Sequence, residues 1–255
     1  MARAPKKASQ GTARTARSQG PGTRFFVGTS GYSYKEWKGS FYPAKLPARE
    51  MLSYYAQQFN AVEINNTFRR LPKPGVLASW AEQVPASFHF ILKAPQQITH
   101  RKRLKDVADE VQAFVQSAAE LIDRQWRMLF QLPPNFKKDL SRLEGLLKLL
   151  HGQGALALEF RHESWHDEEV QNCLREYGGA LCLADTEELP APELVSTAHW
   201  GYVRLRREAY TEEQLREWIT RLRAQPWDDV YIFFKHEDTG TGPELARQFL
   251  NLAGQ

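Results

Sequence analysis

Ionisable side chains recur at one kind of place in this chain, the last position or two of a short apolar run. Glu63 follows "NAV", Lys93 ends "FHFILK", Gln131 ends "MLFQ", and Glu159 and Arg161 close "ALALEFR". Asp185 ends "LCLAD", Arg204 and Arg206 close "GYVRLR", and Lys235 and Glu237 follow "VYIFF". The acids are Glu63, Glu159, Asp185 and Glu237; the bases, Lys93, Arg161, Arg204, Arg206 and Lys235, outnumber them. Charges withdrawn from water need partners, because desolvation costs several kcal/mol per ion. Many of these groups are therefore expected to pair with one another. The surplus of positive charge, together with the polar "GTSG" of residues 28–31, suits a small anionic ligand such as a carboxylate or phosphate. Glu63 and Glu159 are candidates for general acid/base work, since neighbours in a crowded pocket can move a carboxylate pKa toward neutrality. Lys93 and Asp185 complete the candidate catalytic set. Thr29, Ser30, Asn65, Gln131, Arg161, His162, Arg204, Lys235 and Trp165 are the candidate substrate-binding set.

Three other chemistries compete. His162, His236, Glu63, Glu159 and Asp185 are of the right type to hold a divalent ion in a phosphoesterase. The chain has no His-Glu-x-x-His and no His-x-His, and its Arg and Lys residues compete for the carboxylates. No cofactor is expected on these grounds and no metal ligand is assigned, with a divalent metal kept as the alternative. A nucleophilic Ser30 or Ser33 with His162 lacks the Gly-x-Ser-x-Gly spacing of a nucleophile elbow. A lysine nucleophile, Lys93 or Lys235, is chemically open, because a crowded cationic pocket can strip a lysine of its proton. The first loop, "GTSGYSYKEWKGSFYP", carries Tyr32, Tyr34, Trp37, Phe41 and Tyr42. These either fold the loop down by aromatic packing or offer a stacking face to a sugar or base. Trp80 and Trp165 could serve in the same way.

The apolar runs that carry these groups number eight: "RFFVGTSG", "NAVEINNTF", "SFHFILKAP", "WRMLFQLPP", "GALALEFRH", "GALCLAD", "WGYVRLR" and "DVYIFFKHE". Such short, near-continuous apolar runs suit parallel strands covered on both faces. Helical patterns separate them, over residues 47–59, 105–122, 139–151, 166–179, 211–222 and 242–252, with weaker signals at 74–83 and 190–198. Thr211 and Gln214 have capping-box spacing and Pro243 stands near a first helical turn. The alternation predicts an α/β fold, a closed (β/α)8 TIM barrel, over an open doubly wound sheet. No Gly-x-Gly-x-x-Gly follows the first strand, which weakens a dinucleotide-binding reading. Alternation along each strand then sends Glu63 and Asn65, His89, Ile91 and Lys93, Leu129 and Gln131, and Ala155, Ala157, Glu159 and Arg161 inward. It also sends Leu181, Leu183 and Asp185, Tyr202, Arg204 and Arg206, and Tyr231, Phe233, Lys235 and Glu237 inward. The polar members fall at the C-terminal strand ends, where barrel enzymes place their sites.

Length and composition fit one domain. The chain has 255 residues, 42% hydrophobic and 25% charged. Residues 1–24 are small, polar and basic, with six bases and no acid, which more than accounts for the net charge of +4. That segment is expected to be a disordered basic tail capable of weak, salt-sensitive nucleic-acid contact, followed by one barrel domain over residues 25–255. No apolar run approaches the ~20 residues of a bilayer span and no secretory leader is evident. Cys173 and Cys182 lack metal spacing and read as buried reduced thiols. A cytoplasmic protein with no membrane contact is expected.

Several ordered motifs together resemble the YecE-like family, known as domain of unknown function number 72. They are "VGTSGYSYKEWKGSFYP", "YYAQQFNAVEINNTFRRLP", "FHFILKAPQQITH", "LFQLPPNF", "LEFRHESW", "LCLAD" and "VYIFFKHEDTG", spread from Phe25 to Leu252. The resemblance implies a TIM barrel and no particular reaction. It also implies a set of hallmark positions: Gly28 to Gly31, Glu63, Asn65, Thr67, Lys93, His100, Gln131, Glu159, Arg161, His162, Trp165, Asp185, Arg204 and Lys235. The sequence departs from the family pattern at Tyr32, where Trp is common, and at Arg69, where Tyr is common. The family's frequent Arg-Leu-His-Gly is replaced by "RLRREAY", which makes the region after the seventh strand more basic.

Overall fold

A computed structural model describes residues 22–121, 124–188, 191–235 and 240–254. All of the basic tail up to residue 21 lies outside these, as do His236 and Glu237, so the expectations for them fall on no described residue. Arg24, counted both with the tail and as the start of the first apolar run, is the first residue of the first strand.

Eight strands form: β1 (Arg24–Thr29), β2 (Ala61–Ile64), β3 (His89–Lys93), β4 (Gln125–Gln131), β5 (Ala155–Glu159), β6 (Ala180–Asp185), β7 (Trp200–Leu205) and β8 (Asp229–Phe234). They lie in the order β1-β8-β7-β6-β5-β4-β3-β2, every ladder parallel. The helices are α1 (Met51–Tyr55), α2 (Asn66–Arg69), α3 (Val76–Ala81), α4 (Ala108–Ala118), α5 (Leu140–Leu150), α6 (Glu168–Tyr177), α7 (Glu212–Arg223) and α8 (Thr241–Ala253). The expected (β/α)8 architecture is present. The weak helical signal at 190–198 produces no helix among the described residues. Two prolines in that stretch, Pro190 and Pro192, lack the N–H that a helix interior needs.

Local signals set several boundaries. The Thr211 side chain accepts from the Gln214 amide while the Gln214 side chain accepts from the Thr211 amide, a capping box that starts α7. Asp167 caps α6 through the Val170 amide, and Gly178 ends it in the left-handed conformation, at φ 67°.

The barrel closes between β1 and β2 by an unusual route. These strands share one isolated parallel bridge, Ser30 to Glu63, and side chains replace the remaining ladder. Asn60 accepts from the Val27 amide at 2.7 Å and donates to the Phe25 carbonyl at 2.9 Å. The Tyr55 hydroxyl of α1 accepts from the Thr29 amide at 2.7 Å and reaches the Ala61 carbonyl at 3.3 Å. Gly28 makes this approach possible, since a Cβ there would lie 2.0 Å from the Ala61 carbonyl oxygen.

Two apolar layers result. The outer one joins the helices to Phe25, Val27, Val62, Ile64, Phe90, Leu92, Met128, Phe130, Leu156, Leu158, Val203, Leu205, Val230 and Ile232. The inner one fills the barrel with Ala61, Ile91, Leu129, Ala157, Ala180, Cys182, Trp200, Tyr202, Tyr231 and Phe233. Strand parity is therefore as expected on β2, β3, β4, β5, β7 and β8 and reversed on β6. There Ala180 and Cys182 face inward, and Leu181 packs against the outer layer. The cause is volume. Trp200 and Tyr202 of neighbouring β7 occupy that side of the interior, so β6 contributes its small residues and turns Leu181 out. At the N-terminal end Phe26 stacks on His89 at 3.9 Å, His89 Nδ1 bonds the Tyr231 hydroxyl at 2.7 Å, and Arg127 lies 4.4 Å over the Tyr231 ring. That end is closed by packed side chains.

Candidate functional site at the barrel mouth

The inward parity of β2, β5 and β7 brings Glu63, Glu159 and Arg204 together at the C-terminal end. All three are 2% exposed or less. Arg204 Nη1 donates to Glu159 Oε2 at 2.6 Å and Nη2 to Glu63 Oε1 at 2.8 Å, so one guanidinium bridges two carboxylates. Both carboxylates accept further hydrogen bonds. The Tyr202 hydroxyl donates to Glu63 Oε2 at 2.8 Å, and Asn65 Nδ2 to Glu63 Oε1 at 3.2 Å. Gln131 Nε2 donates to Glu159 Oε1 at 2.7 Å, and Arg161 Nε to the same oxygen at 3.0 Å. Ser30 Oγ stands 3.5 Å from Arg204 Nη2, at the seam where β1 meets β2. The Arg204 Nε–H is buried with no partner among the described residues.

The electrostatics reverse one expectation. Burial opposes ionisation of Glu63, but Arg204, Lys93 and the Tyr202 hydroxyl outweigh it and hold its pKa below the ordinary value. Burial likewise opposes ionisation of Glu159, and Arg204, Arg161 and Gln131 overcome it, taking its pKa to about 2. Crowding with cations thus moves both carboxylates away from neutrality, because a bridging guanidinium stabilises the charged form more than burial penalises it. Both are locked anions. Neither is poised to exchange a proton near pH 7.

Lys93 behaves differently. Burial and then Arg204 suppress its charge more than Glu63 and Glu159 restore it, and its pKa falls to about 8. Its Nζ sits 4.6 Å from the Phe68 ring centroid, and no hydrogen bond or ion pair engages it among the described residues. His100 meets the same Phe68 ring edge-on at 4.9 Å. Its pKa is lowered, by burial first and then by Lys93 and Arg161. Arg206, half-buried just after β7, also has no ion pair among the described residues. Its pKa is lowered by burial and then by Arg204.

Of the remaining expected site residues, the structure brings some to the mouth and leaves others aside. Asp185 sits on the outer parity of β6, where Arg207 and Tyr210 hold it at 2.8 and 2.9 Å, so it does not join Glu63 and Glu159. Trp165 is 1% exposed, donates to the Phe136 carbonyl at 2.7 Å and stacks on Phe160 at 4.8 Å, a role in the outer layer. His162 Nδ1 accepts from the Ser164 amide at 3.1 Å and caps a short turn. Thr29 spends its hydroxyl on the Gly31 carbonyl at 2.6 Å and on Tyr55. Lys235 is half-buried after β8, its amide bonded to the Leu205 carbonyl at 3.0 Å. In the first loop Trp37, Phe41 and Tyr42 pack on one another and on Tyr54. Tyr32 and Tyr34 instead line a small cleft with Gly31, Ser33, Asn65 and Asn66 beside Glu63. Among the described residues no group of three His, Cys, Asp or Glu side chains could hold a metal.

Sequence reasoning counted Tyr202 and Arg206 among the inward residues of the seventh strand and His100 among the hallmark positions, placed none of them in the catalytic or substrate-binding sets, and did not single out Phe68. Tyr202 and Arg206 share parity with Arg204 and were readable from that alternation. His100 and Phe68 come from connecting segments, and nothing in strand periodicity points to them.

Eight parallel strands, one charged mouth and a closed base define a TIM-barrel-like protein with a buried ion-pair network at the C-terminal face. The chain belongs to the DUF72 family, described as protein of unknown function, whose model matches residues 26–255. The UPF0759 protein YecE of Escherichia coli K12 is 37% identical over 112 residues, 44% of this chain and 41% of that protein. This chain thus matches well under half the length of that relative. The UPF0759 protein YunF of Bacillus subtilis is 23% identical over 89% of this chain and 94% of its own. A DUF72 family crystal structure from Thermotoga maritima matches with a TM-score of 0.75 at 28% identity, covering 91% of this chain and all of that one. A second, from Enterococcus faecalis, shares the fold with a TM-score of 0.74 at 18% identity. Among the described residues no helix is long and apolar enough to cross a membrane.

Proposed function

We propose that the barrel mouth binds a small anion and that the protein is an enzyme carrying out lyase- or hydrolase-like proton transfer on it. Charge balance carries this reading. Glu63 and Glu159 face Arg204, Arg161, Lys93 and Arg206, a surplus of two positive charges when Lys93 is protonated. Arg161 spends only its Nε on Glu159 and Arg206 spends nothing on a carboxylate among the described residues, so both can turn guanidinium N–H groups to a carboxylate or phosphate. Lys93 replaces the two glutamates as the proton-transferring group, because its pKa of about 8 lies near the working range. Glu63 and Glu159 hold Arg204 in place and preorganise the field around it. Titration calorimetry with phosphate, sugar phosphates and small carboxylates tests the reading. At least one is expected to bind, with affinity falling about tenfold or more in Arg161→Ala or Arg206→Ala. Binding equally tight in both variants would sink it.

The same surplus charge supports a binding module for phosphate or nucleic acid without turnover, aided by the basic tail. Removal of residues 1–21 separates the two. Under the enzyme reading small-anion binding is unchanged and only polyanion binding weakens, with a shallower salt dependence.

A further inference from the structure

We propose that Lys93 is a covalent nucleophile whose amine condenses with the carbonyl of a small anionic aldehyde or keto acid held by Arg161 and Arg206. This rests on the anion-binding reading of the mouth and adds to it the substrate class. Three placements carry it. Lys93 is the last residue of β3, at the open end of the barrel, and its carbonyl is anchored by Thr67 Oγ1 at 2.7 Å. The strand end is thereby fixed, and Nζ lies over the face of Phe68 without an acceptor among the described residues that would hold it as an ion-paired ammonium. Cations from separate elements crowd it: Arg204 of β7 and Arg161 after β5, with Glu63 and Glu159 largely spent on Arg204. Such surroundings leave a usable fraction of free amine at neutral pH, consistent with the depressed pKa. Arg161, which disfavours the ammonium, also attracts an anionic carbonyl compound, and Arg206 adds its positive charge beside Arg161.

The step balances without an added reactant. The amine lone pair adds to the carbonyl carbon, giving a carbinolamine once a proton moves from nitrogen to oxygen. That oxygen then leaves as water with the second amine hydrogen, forming an imine. Proton uptake from solvent gives the iminium, an electron sink for a bond at the adjacent carbon. His100, kept neutral by burial and by the positive charges of Lys93 and Arg161, is the nearby group able to carry these protons.

Reductive trapping tests the proposal on the full chain. The protein is incubated at pH 7 with glyoxylate or pyruvate and sodium cyanoborohydride, digested, and mapped by mass spectrometry. The reduced adduct is expected on Lys93 at a rate on the order of a few hundred times that of surface lysines such as Lys148, from the larger free-amine fraction. The Lys93→Arg variant is expected to lose that adduct alone, and excess lactate, an anion without the carbonyl, to slow it. Adducts spread over surface lysines with none enriched at Lys93 overturn the proposal. If calorimetry then still shows lactate bound through Arg161 and Arg206, the anion-binding reading stands by itself. Enrichment at Lys93 that lactate does not slow keeps the nucleophile and refutes the anion site.

Discussion

At the scale of the residue, Arg204 decides the chemistry of its neighbours. Two carboxylates buried side by side would normally push one another toward protonation; here one guanidinium between them keeps both ionised. Removing one partner of a buried ion pair costs about 3–5 kcal/mol, because the other is left as an uncompensated charge. Arg204→Met therefore destabilises by at least that order in urea unfolding, and raises the pKa values of both glutamates as read by carboxyl NMR titration. Lys93 predicts the opposite sign. Its folded-state pKa of about 8 lies below the ordinary 10.5, so burying its charge costs stability in full below pH 8. That cost is relieved as pH rises toward 10.5. Lys93→Met is expected to stabilise the protein by about 1 kcal/mol at pH 7, as replacement of strained functional residues commonly does. It should also abolish turnover. A melting temperature lower than that of the parent chain would refute the stability half.

At the scale of the element, the seam between β1 and β2 stands out, since ordinary ladder hydrogen bonds hold every other strand pair. Asn60 occupies two backbone groups there, and Tyr55 spans the gap from α1. The seam is also where Ser30 meets Glu63, so closure of the barrel and placement of a site carboxylate are one structural event. Asn60→Ala leaves the Val27 amide and the Phe25 carbonyl without partners, at about 1–3 kcal/mol for each group that stays dry. Gly28→Ala forces a Cβ against the Ala61 carbonyl and costs about 3 kcal/mol or more. Hydrogen exchange should show β1 and β2 opening together in the Asn60→Ala variant while β4 and β5 remain protected.

At the scale of the whole molecule, the two ends of the barrel respond to acid in sequence. At the closed end His89 is held neutral by burial and then by Arg127, with a pKa of about 3 against an ordinary 6.5. The unfolded chain takes up that proton first, so stability present above pH 6.5 is lost as pH falls toward 3. At the mouth Glu159 is depressed from 4.5 to about 2. Its contribution is present above pH 4.5 and lost as pH falls toward 2. Unfolding free energies measured from pH 8 to pH 3 are expected to fall in two stages, the first missing in His89→Gln and the second reduced in Glu159→Gln. A single stage unaffected by His89→Gln would contradict the assignment.

Period and composition by themselves determined the class of fold, the eight strands and their parallel order. Each strand must bury both faces and each helix one, and few arrangements satisfy that pattern. They also determined that charged residues collect at one end, because alternation along β2, β5 and β7 leaves Glu63, Glu159 and Arg204 no other direction. Tertiary structure decided what alternation cannot carry. Parity on β6 was reversed by the bulk of Trp200 and Tyr202 on the strand beside it, which sent Asp185 to Arg207 and Tyr210. Trp165 and His162 lie close to Glu159 in sequence, yet packing against Phe136 and a local cap took them elsewhere. The electrostatics of the three ionisable groups also depend on tertiary placement. Glu63, Glu159 and Lys93 all look ionisable in sequence, and only the distances to Arg204 separate two locked anions from one lysine with a weakened hold on its proton.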